Sequence, residues 1–267
     1  MIRDITIGQY YKADSVIHRL DPRVKLMGTL IFIISLFMGM NIWIYAVVTV
    51  ALAVVIKMSR IPLKFMVRGL KSIVILIIIS AVFNLFLTPG DVFIQIWKLT
   101  ITYQGLKMAI FMVVRLIYLI VGTSLMTLTT TPNNLTDGLE KGLGFLKVIK
   151  VPVHEIAMMM SIALRFIPIL IEETDKIMKA QMARGADFEN GSLIKRSKAM
   201  VPILVPLFVS AFRRANELAM AMEARCYHGS EGRTKMKPLK YEKRDRIAYI
   251  SMVLYLGVII IVKIIAA

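Results

Sequence analysis

The uncharged stretch LMGTLIFIISLFMGMNIWIYAVVTVALAVVI, residues 26–56, decides the fold class of this chain. A membrane-spanning helix needs about 20 apolar residues, so this stretch is too long for one span and somewhat short for two. A Gly-Met-Asn break at residues 39–41 interrupts it near its middle. We therefore predict two short spans, 24–41 and 42–57, joined by a tight hairpin and flanked by lysines and arginines that reach the interfaces.

Three further apolar runs complete the predicted set of membrane spans. They cover residues 72–88, 106–129 and 247–267, and they bring the predicted number of spans to five. The chain is 57% hydrophobic with a mean hydropathy of +0.70, which is more than a soluble core of this size would bury. We therefore predict an all-α fold: a polytopic membrane protein, surrounded by lipid, with about five transmembrane helices and long amphipathic cytoplasmic helices.

The basic residues predict how the chain crosses the membrane. Lysine and arginine outnumber acidic residues by 34 to 17, which gives a net charge of +17. The tail before residue 26 and the 57–71 loop are basic, whereas the 39–43 and 88–105 loops carry almost no charge. By the positive-inside rule, the N-terminus and residues 133–246 are cytoplasmic and the C-terminus is external. Because the basic residues follow membrane sidedness, we expect no nucleic-acid partner.

The predicted organisation has three parts, which are a membrane region over 1–132, a cytoplasmic coupling region over 133–246 and a C-terminal transmembrane helix over 247–267. Apolar residues recur at helical spacing in the coupling region, which predicts a short helix from Leu135 to Leu146 and two long amphipathic ones. The first long helix runs from Pro152 to Gly185, and the second from Ser192 to Arg225. Prolines 168, 202 and 206 are expected to bend these helices.

Both long helices end in an alanine followed by an arginine, in Ala183-Arg184-Gly185 and in Ala224-Arg225-Cys226. A cation in the last turn complements the helix dipole, which would account for one such arginine. The repetition, with a small residue before each arginine, favours a docking contact in which the planar guanidinium pairs with a carboxylate of a partner. Both interpretations stay open at this point.

Catalytic and metal-binding motifs are missing from the sequence. There is no G-x-x-x-x-G-K-[ST] loop for a nucleoside triphosphate, and Met158 stands where a zinc helix starting at His154-Glu155 needs its second histidine. The three histidines lie in separate segments, and Cys226 is the single cysteine. We therefore expect no catalytic residue, no metal site and no cofactor bound by this chain.

Arg115 is the one charge well inside a predicted span. Exposing a charge to lipid at this depth costs about 2.5–3.5 kcal/mol on insertion scales, and such residues are often functional. A structural arginine is the alternative interpretation, because no acidic residue appears in another predicted span.

A self-sufficient secondary transporter or channel would need paired ionisable residues or broken spans within the membrane, and a membrane enzyme would need a nucleophile–base or metal constellation.

Four motifs follow one another along the chain. They are Ser15-Val16-Ile17-His18-Arg19-Leu20-Asp21-Pro22-Arg23-Val24-Lys25, Ala163-Leu164-Arg165-Phe166-Ile167-Pro168 with Glu172, Ala180-Gln181-Met182-Ala183-Arg184-Gly185, and Ala219-Met220-Ala221-Met222-Glu223-Ala224-Arg225. Together they strongly resemble the transmembrane T component (EcfT/CbiQ-like) of energy-coupling factor (ECF) transporters. The similarity covers essentially the whole chain.

The resemblance implies a non-enzymatic coupling subunit of an ABC-type importer for vitamins or transition-metal ions. In that family the T subunit links two cytoplasmic ATPases, which bind ATP and Mg²⁺, to a membrane-embedded substrate-binding S subunit. Two of its coupling helices end in Ala-Arg-Gly motifs that seat in ATPase grooves, which here implies docking by Ala183-Arg184-Gly185 and Ala224-Arg225-Cys226. Cys226 stands where glycine is usual, so we expect the second helix stop to shift toward Gly229.

The coupling region is also rich in methionine, including Met158, Met159 and Met160. Flexible, polarizable side chains suit a surface that repacks against different partners, although gap-filling in an amphipathic helix explains them equally well. We predict that these methionines, with Leu164 and Ile167, face the S subunit. Several exchangeable S subunits would then share this chain.

Overall fold

Helices dominate the structure, a computed structural model that describes residues 10–265 except 72, 97–98, 187, 189–192, 230–235 and 237. Residues 1–9 of the basic tail and most of the connection between the two long helices lie outside the described residues. The elements are α1 Pro22–Phe37, α2 Ile42–Ser59, α3 Leu63–Lys71, α4 Val74–Leu87, β1 Val92–Ile96, β2 Leu99–Thr102, α5 Tyr103–Thr129, α6 Pro132–Gly142, a 3₁₀ helix at Gly144–Ile149, α7 Val153–Ala183, α8 Leu193–Glu223 and α9 Lys243–Ile265.

A short antiparallel hairpin, β1–β2, departs from the helical pattern. Val92 pairs with Thr102 and Ile96 with Leu99, within the segment that the sequence predicts to be a loop between spans. Alternating β-branched residues favour an extended backbone here, and this period-two signal is separate from the hydropathy that indicates membrane spans. The hairpin is a small addition, and the predicted all-α membrane fold class is confirmed.

Four helices of the described chain are long and apolar enough to cross a membrane: α2, α5, α7 and α9. Helices α3 and α4, bent by 64° relative to each other, add a fifth if the pair is counted as one span. The predicted spans 42–57, 106–129 and 247–267 correspond to α2, α5 and α9, and 72–88 corresponds to α4. Helix α1, predicted as a short span at 24–41, has 16 residues, fewer than the roughly 20 of a full span.

Helix α7 lies in the region that the sequence predicts to be cytoplasmic, yet its composition suits a bilayer. It has 31 residues, and only 6% of its most apolar window is buried within the chain. Pro168 lies inside this continuous helix, and Pro202 and Pro206 lie inside α8. The predicted coupling helices therefore form, and α7 presents an apolar surface that the chain itself does not cover.

Contacts divide the chain into two compact units, one of Gly8–Gly138 with Leu239–Ala267 and one of Leu139–Pro238. In the first unit, helices α1, α2 and α9 share a core built from Leu36, Val48 and Ile259, against which residues of α5 pack. A second cluster joins α3 to the end of α5. The predicted limits between membrane and cytoplasm, at 132 and 246, stay predictions.

A buried polar network ties the start of α1 to the start of α9 in the first unit. Asp21 caps α1, because its carboxylate accepts the N–H of Arg23 at 2.9 Å and pairs with the Arg23 guanidinium at 2.8 Å. Burial raises the pKa of Asp21, but the hydrogen bonds from Arg23 prevail and hold that pKa below its ordinary value. Lys25 donates to the carbonyl of Thr129 at the end of α5 at 2.9 Å, so three residues of the first sequence motif stabilise the start of α1.

Asp245 completes the network, and nothing in the sequence singles it out. It is 1% exposed, and its two carboxylate oxygens accept the N–H of Asp21 at 2.9 Å and that of Glu242 at 2.8 Å. The contact with Glu242 is half of a capping box at the N-terminus of α9. The Asp245 carboxylate therefore satisfies the backbone donors of Asp21 and Glu242, which are 221 residues apart in the sequence (242 − 21).

Asp245→Asn is expected to destabilise the protein by about 1–3 kcal/mol, because one acceptor oxygen becomes an NH₂ group that faces a backbone donor. Thermal unfolding of the purified chain in detergent measures the effect. Glu242→Gln is the matched control, since the Glu242 side chain is 60% exposed and the backbone N–H that it contributes is unchanged. Equal melting temperatures for the two variants would contradict this role of Asp245.

Candidate functional site: the ends of the coupling hairpin

Helices α7 and α8 form an antiparallel hairpin, which we call the coupling hairpin. Arg214 pairs with Glu173 at 3.2 Å near its middle. At one end the Gln181 amide donates to the carbonyl of Pro202 at 3.5 Å. At the other end, the Tyr227 hydroxyl lies 3.1 Å from the sulfur of Met158. The end of each helix therefore lies beside the first half of the other.

This arrangement places the two Ala-Arg motifs at opposite ends of the hairpin. Ala183-Arg184-Gly185 follows α7 and Ala224-Arg225-Cys226 follows α8, and each helix has 31 residues. Tyr227 lies beside Met158, so Arg225 lies beside about residue 160 of α7, which is about 24 residues before Arg184. At a rise of 1.5 Å per residue, the two arginines are therefore roughly 36 Å apart. All six motif residues are exposed. The structure therefore presents two separate arginine sites rather than one combined site.

The first motif ends α7 in a Schellman turn, as the sequence predicts from Gly185. The N–H of Gly185 donates to the carbonyl of Met182 at 2.9 Å, and that of Ala186 donates to the carbonyl of Gln181 at 3.0 Å. Gly185 has φ +88°, a left-handed conformation that suits glycine. The turn stops the helix directly after Arg184 and leaves its side chain exposed.

The second motif repeats this turn without glycine. The N–H of Cys226 donates to the carbonyl of Glu223 at 2.8 Å, and that of Tyr227 donates to the carbonyl of Met222 at 3.1 Å. Cys226 itself has φ +54°, so it occupies the left-handed position that Gly185 occupies in the first motif. The predicted shift of the stop toward Gly229 is therefore wrong, because the backbone hydrogen bonds hold a cysteine in the strained conformation.

Cys226→Gly is expected to stabilise the last turn of α8 by about 1 kcal/mol, because the left-handed conformation costs a non-glycine residue about that much. Gly185→Ala should destabilise the end of α7 by a similar amount; no atom lies within 4 Å of the added methyl group, so the strain is in the backbone alone. Hydrogen exchange at each helix end measures both, and about 1 kcal/mol changes amide protection roughly fivefold. Unchanged protection in both variants would contradict the shared turn geometry.

A groove of about 730 Å³ adjoins the second motif. Arg165 and Arg225 line it together with the exposed segment that follows α8. Cys226 and His228 also border this groove. Two guanidinium groups on one concave surface give the second arginine site a strongly basic character, which favours an acidic partner surface.

The residues predicted to face an S subunit lie along α7 with different exposures. Met159, at 59%, Met160 and Ile167 are exposed. Leu164 and Met158 are half-buried, and Met158 contacts Tyr227. The exposed members lie within one side of the helix, so the structure brings them together as one surface, whereas Met158 lines the groove beside Tyr227.

Helix α8 has an exposed apolar face that was not among the sequence-based predictions. Val205, Phe208, Val209 and Phe212 follow at the i, i+3, i+4, i+7 spacing of one helix side, and Phe212 is 68% exposed. We call these four residues the α8 apolar face. The run LVPLFVSAF over 204–212 carries the signal, but a hydrophobic run alone does not tell which side of a helix is left uncovered.

Arg115 is 8% exposed in the first unit. Its Nε donates to the hydroxyl of Tyr45 at 3.0 Å, and its guanidinium carbon lies 5.0 Å from the centre of the Phe37 ring. A hydroxyl acceptor and a cation–π contact reduce the cost of burying this charge. These contacts favour the structural interpretation of Arg115.

His154, at the start of α7, is paired with a carboxylate. Nδ1 of His154 lies 2.8 Å from a carboxylate oxygen of Glu140, which accounts for the histidine of the incomplete zinc motif. No three His, Cys, Asp or Glu side chains come together within the part of the chain that the structure describes.

Comparison with known proteins decides the family. The family described as CbiQ, cobalt transport protein, matches residues 13–236. Over 250 residues, the chain is 57% identical to the energy-coupling factor transporter transmembrane protein EcfT of Clostridium kluyveri, an alignment that covers 93% of each chain. The chain belongs to the EcfT/CbiQ family. The resemblance inferred from the four motifs is confirmed.

More distant relatives carry the same description. The EcfT proteins of Bacillus subtilis and Lactococcus lactis are 47% and 42% identical to the chain over 254 residues, and both alignments cover 95% of it and 96% of the relative. Members of the EcfT/CbiQ family are transporter membrane components. The chain is accordingly a multi-pass membrane component of an ECF transporter.

Proposed function

We propose that this EcfT/CbiQ family member couples ATP binding and hydrolysis in two cytoplasmic ABC ATPases to movement of a membrane-embedded S subunit, for uptake of vitamins or metal ions. ATP and Mg²⁺ bind to the ATPases, and this chain holds no cofactor and catalyses no reaction. The observation that carries the proposal is the coupling hairpin, with an exposed arginine at each end.

The spacing of the two arginines supports one ATPase at each end. A separation of roughly 36 Å is too large for a single groove, whereas two similar ATPases offer two similar grooves. Each motif ends its helix with the same Schellman turn, so Arg184 and Arg225 leave the two helices in equivalent local geometry. The planar guanidinium suits bidentate pairing with a carboxylate in each groove.

The contacts between α7 and α8 support transmission of movement along the hairpin. Glu173 and Arg214 connect the helices near their middle, and Met158 and Tyr227 connect them at one end. The ion pair is partly exposed and contributes about 0–1 kcal/mol by itself. When the ATPases close and carry the two motifs with them, these contacts make the helices shift together rather than independently.

The uncovered apolar surface of the hairpin supports contact with the S subunit. Met159, Met160 and Ile167 on α7, together with the α8 apolar face, are exposed although they are strongly apolar. A large exposed apolar surface of this kind is typical of a protein or membrane contact. An S subunit that lies on this surface would be displaced when the hairpin moves, and several S subunits with similar apolar surfaces could exchange on it.

Reconstitution tests the proposed function. The chain, its two ATPases and one S subunit are placed in proteoliposomes, and uptake of the S-subunit ligand is measured with ATP, without ATP, and with each component omitted. We expect uptake only with ATP and all components. ATP-independent uptake by the chain alone would instead support the self-sufficient secondary transporter or channel.

We further propose that the protein lies in the cell membrane with its N-terminus and coupling hairpin in the cytoplasm and its C-terminus outside. In a Cys226→Ala background, Lys263→Cys near the end of α9 should react with a membrane-impermeant maleimide in intact cells. Lys179→Cys, on the exposed part of α7, should react only after the cells are opened. The reverse pattern of labelling would invert the topology.

A further inference from the structure

The turn between α6 and α7 combines exposed apolar side chains with lysines. Phe145, Val148 and Ile149 are exposed, and Val148 reaches 88%. Lys147 and Lys150 are exposed beside them. We call residues 141–151 the basic–apolar turn. Neither the docking motifs nor the predicted S-subunit surface includes it.

The backbone of the basic–apolar turn largely satisfies its own hydrogen bonds. Its centre is the 3₁₀ helix Gly144–Ile149, and Lys150 ends this helix in a left-handed conformation with φ +61°. The N–H of Val151 donates to the carbonyl of Leu146 at 3.2 Å, and that of Lys150 donates to the carbonyl of Lys147 at 3.0 Å. A turn with paired backbone groups can enter the boundary of a bilayer, where unpaired donors are costly.

The charges around the turn indicate which partner would cover it. No Asp or Glu lies between residues 141 and 154, and the nearest carboxylate in the sequence, Glu140, is paired with His154. Lysines interleaved with exposed apolar residues are typical of segments that lie at a membrane surface rich in anionic lipid. With only six residues, the 3₁₀ helix is too short to span the membrane.

We propose that the basic–apolar turn is an interfacial anchor: Phe145, Val148 and Ile149 enter one leaflet while Lys141, Lys147 and Lys150 bind anionic lipid headgroups. The turn directly precedes α7, so the anchor would hold the start of the coupling hairpin at the bilayer surface. The inference rests on the membrane location of the chain, and it is independent of contacts between the motif arginines and the ATPases.

Fluorescence quenching tests the anchor. Trp43 and Trp97, the two natural tryptophans, are replaced by phenylalanine, and Phe145→Trp is introduced into the full chain in vesicles of phosphatidylcholine and phosphatidylglycerol. Bromine on the lipid acyl chains should reduce the indole emission about twofold, because interfacial side chains lie roughly 5–10 Å into the headgroup–acyl boundary. Lys179→Trp in the same background is the control and should not be quenched. Emission from position 145 that bromine leaves unchanged would overturn the proposal.

Two further comparisons separate lipid from protein as the partner. Lys147→Gln with Lys150→Gln should remove the increase in quenching that phosphatidylglycerol brings, whereas Lys176→Gln with Lys179→Gln should leave it intact. If both double variants lost the increase in quenching that phosphatidylglycerol brings, the role given to Lys147 and Lys150 would be overturned. The measurement is repeated with the ATPases and an S subunit present. Bromine quenching should persist in that complex, and its disappearance would show that a protein covers the turn instead.

Discussion

Replacement of both Arg184 and Arg225 by alanine is expected to abolish ATP-driven uptake by the complete transporter. Truncating one partner of a buried charge pair costs about 2–5 kcal/mol, and even 2 kcal/mol weakens docking about thirtyfold. Loss of both arginines would therefore disconnect both ends of the coupling hairpin from the ATPases. ATP-driven uptake into proteoliposomes, together with co-purification of the ATPases, measures the effect.

Lysine at the same two positions distinguishes docking from a simple effect on the helix dipole. A dipole contribution of about 0.3–1 kcal/mol needs only a positive charge, so it predicts full uptake with Arg184→Lys and Arg225→Lys. Docking through the planar guanidinium predicts a strong loss of uptake, because lysine cannot make the bidentate contact with a carboxylate. Lys179→Ala with Arg213→Ala removes two exposed cations from the same helices and should leave uptake unchanged. Normal uptake by the double alanine variant would refute docking through these arginines.

Phe208→Asp combined with Phe212→Asp is expected to release the S subunit while the ATPases stay bound. Both side chains belong to the α8 apolar face and are more than half exposed in the isolated chain. Burying an unpaired carboxylate against an apolar partner costs about 3–5 kcal/mol, enough to weaken the contact more than a hundredfold. Co-purification of a tagged S subunit from detergent or nanodiscs measures the loss.

Arg213→Asp provides the matched control for this prediction. It adds the same carboxylate at the position next to Phe212, on a neighbouring side of α8 that is already polar. The S subunit should therefore remain bound. If the two phenylalanine substitutions also left it bound, the α8 apolar face would be a lipid contact rather than the S-subunit surface.

The sequence predicts the helices of this protein well because apolar length and helix-stop residues are local signals. Gly185 ends α7 at the predicted place, and the predicted spans at 42–57 and 106–129 correspond to α2 and α5. The bend of 64° between α3 and α4 could not be predicted in the same way. It depends on how α3 and α4 each pack against α5, and hydropathy does not describe packing.

The end of α8 shows where a local rule fails for a physical reason. Cysteine disfavours a positive φ, so the sequence suggests that the helix continues toward Gly229. The hydrogen bonds from Cys226 and Tyr227 to the last turn outweigh this preference and place the stop where a glycine would. Arg184 and Arg225 are thus equivalent in backbone geometry, although the residues that follow them differ. We expect Arg184 to be the less dispensable of the two for uptake, because its turn carries no backbone strain.

The contacts that connect distant parts of the chain have no local sequence signal. Asp245 accepts the backbone N–H of Asp21 across a separation of 224 residues, and the Lys25 side chain donates to Thr129. The antiparallel pairing of α7 and α8 belongs to the same class. Only this pairing reveals that the two arginine motifs lie at opposite ends of one hairpin.

Site-specific photo-crosslinking tests the central claim most directly. A photoreactive amino acid replaces Ala183 or Ala224, which leaves Arg184 and Arg225 in place, and the intact complex with its ATPases and S subunit is irradiated. We predict that each position crosslinks to an ATPase, and that the crosslinked peptides place the two positions on two different ATPase copies. Crosslinks from both positions to a single ATPase copy, or from neither position to any ATPase, would contradict docking at the two ends of the coupling hairpin.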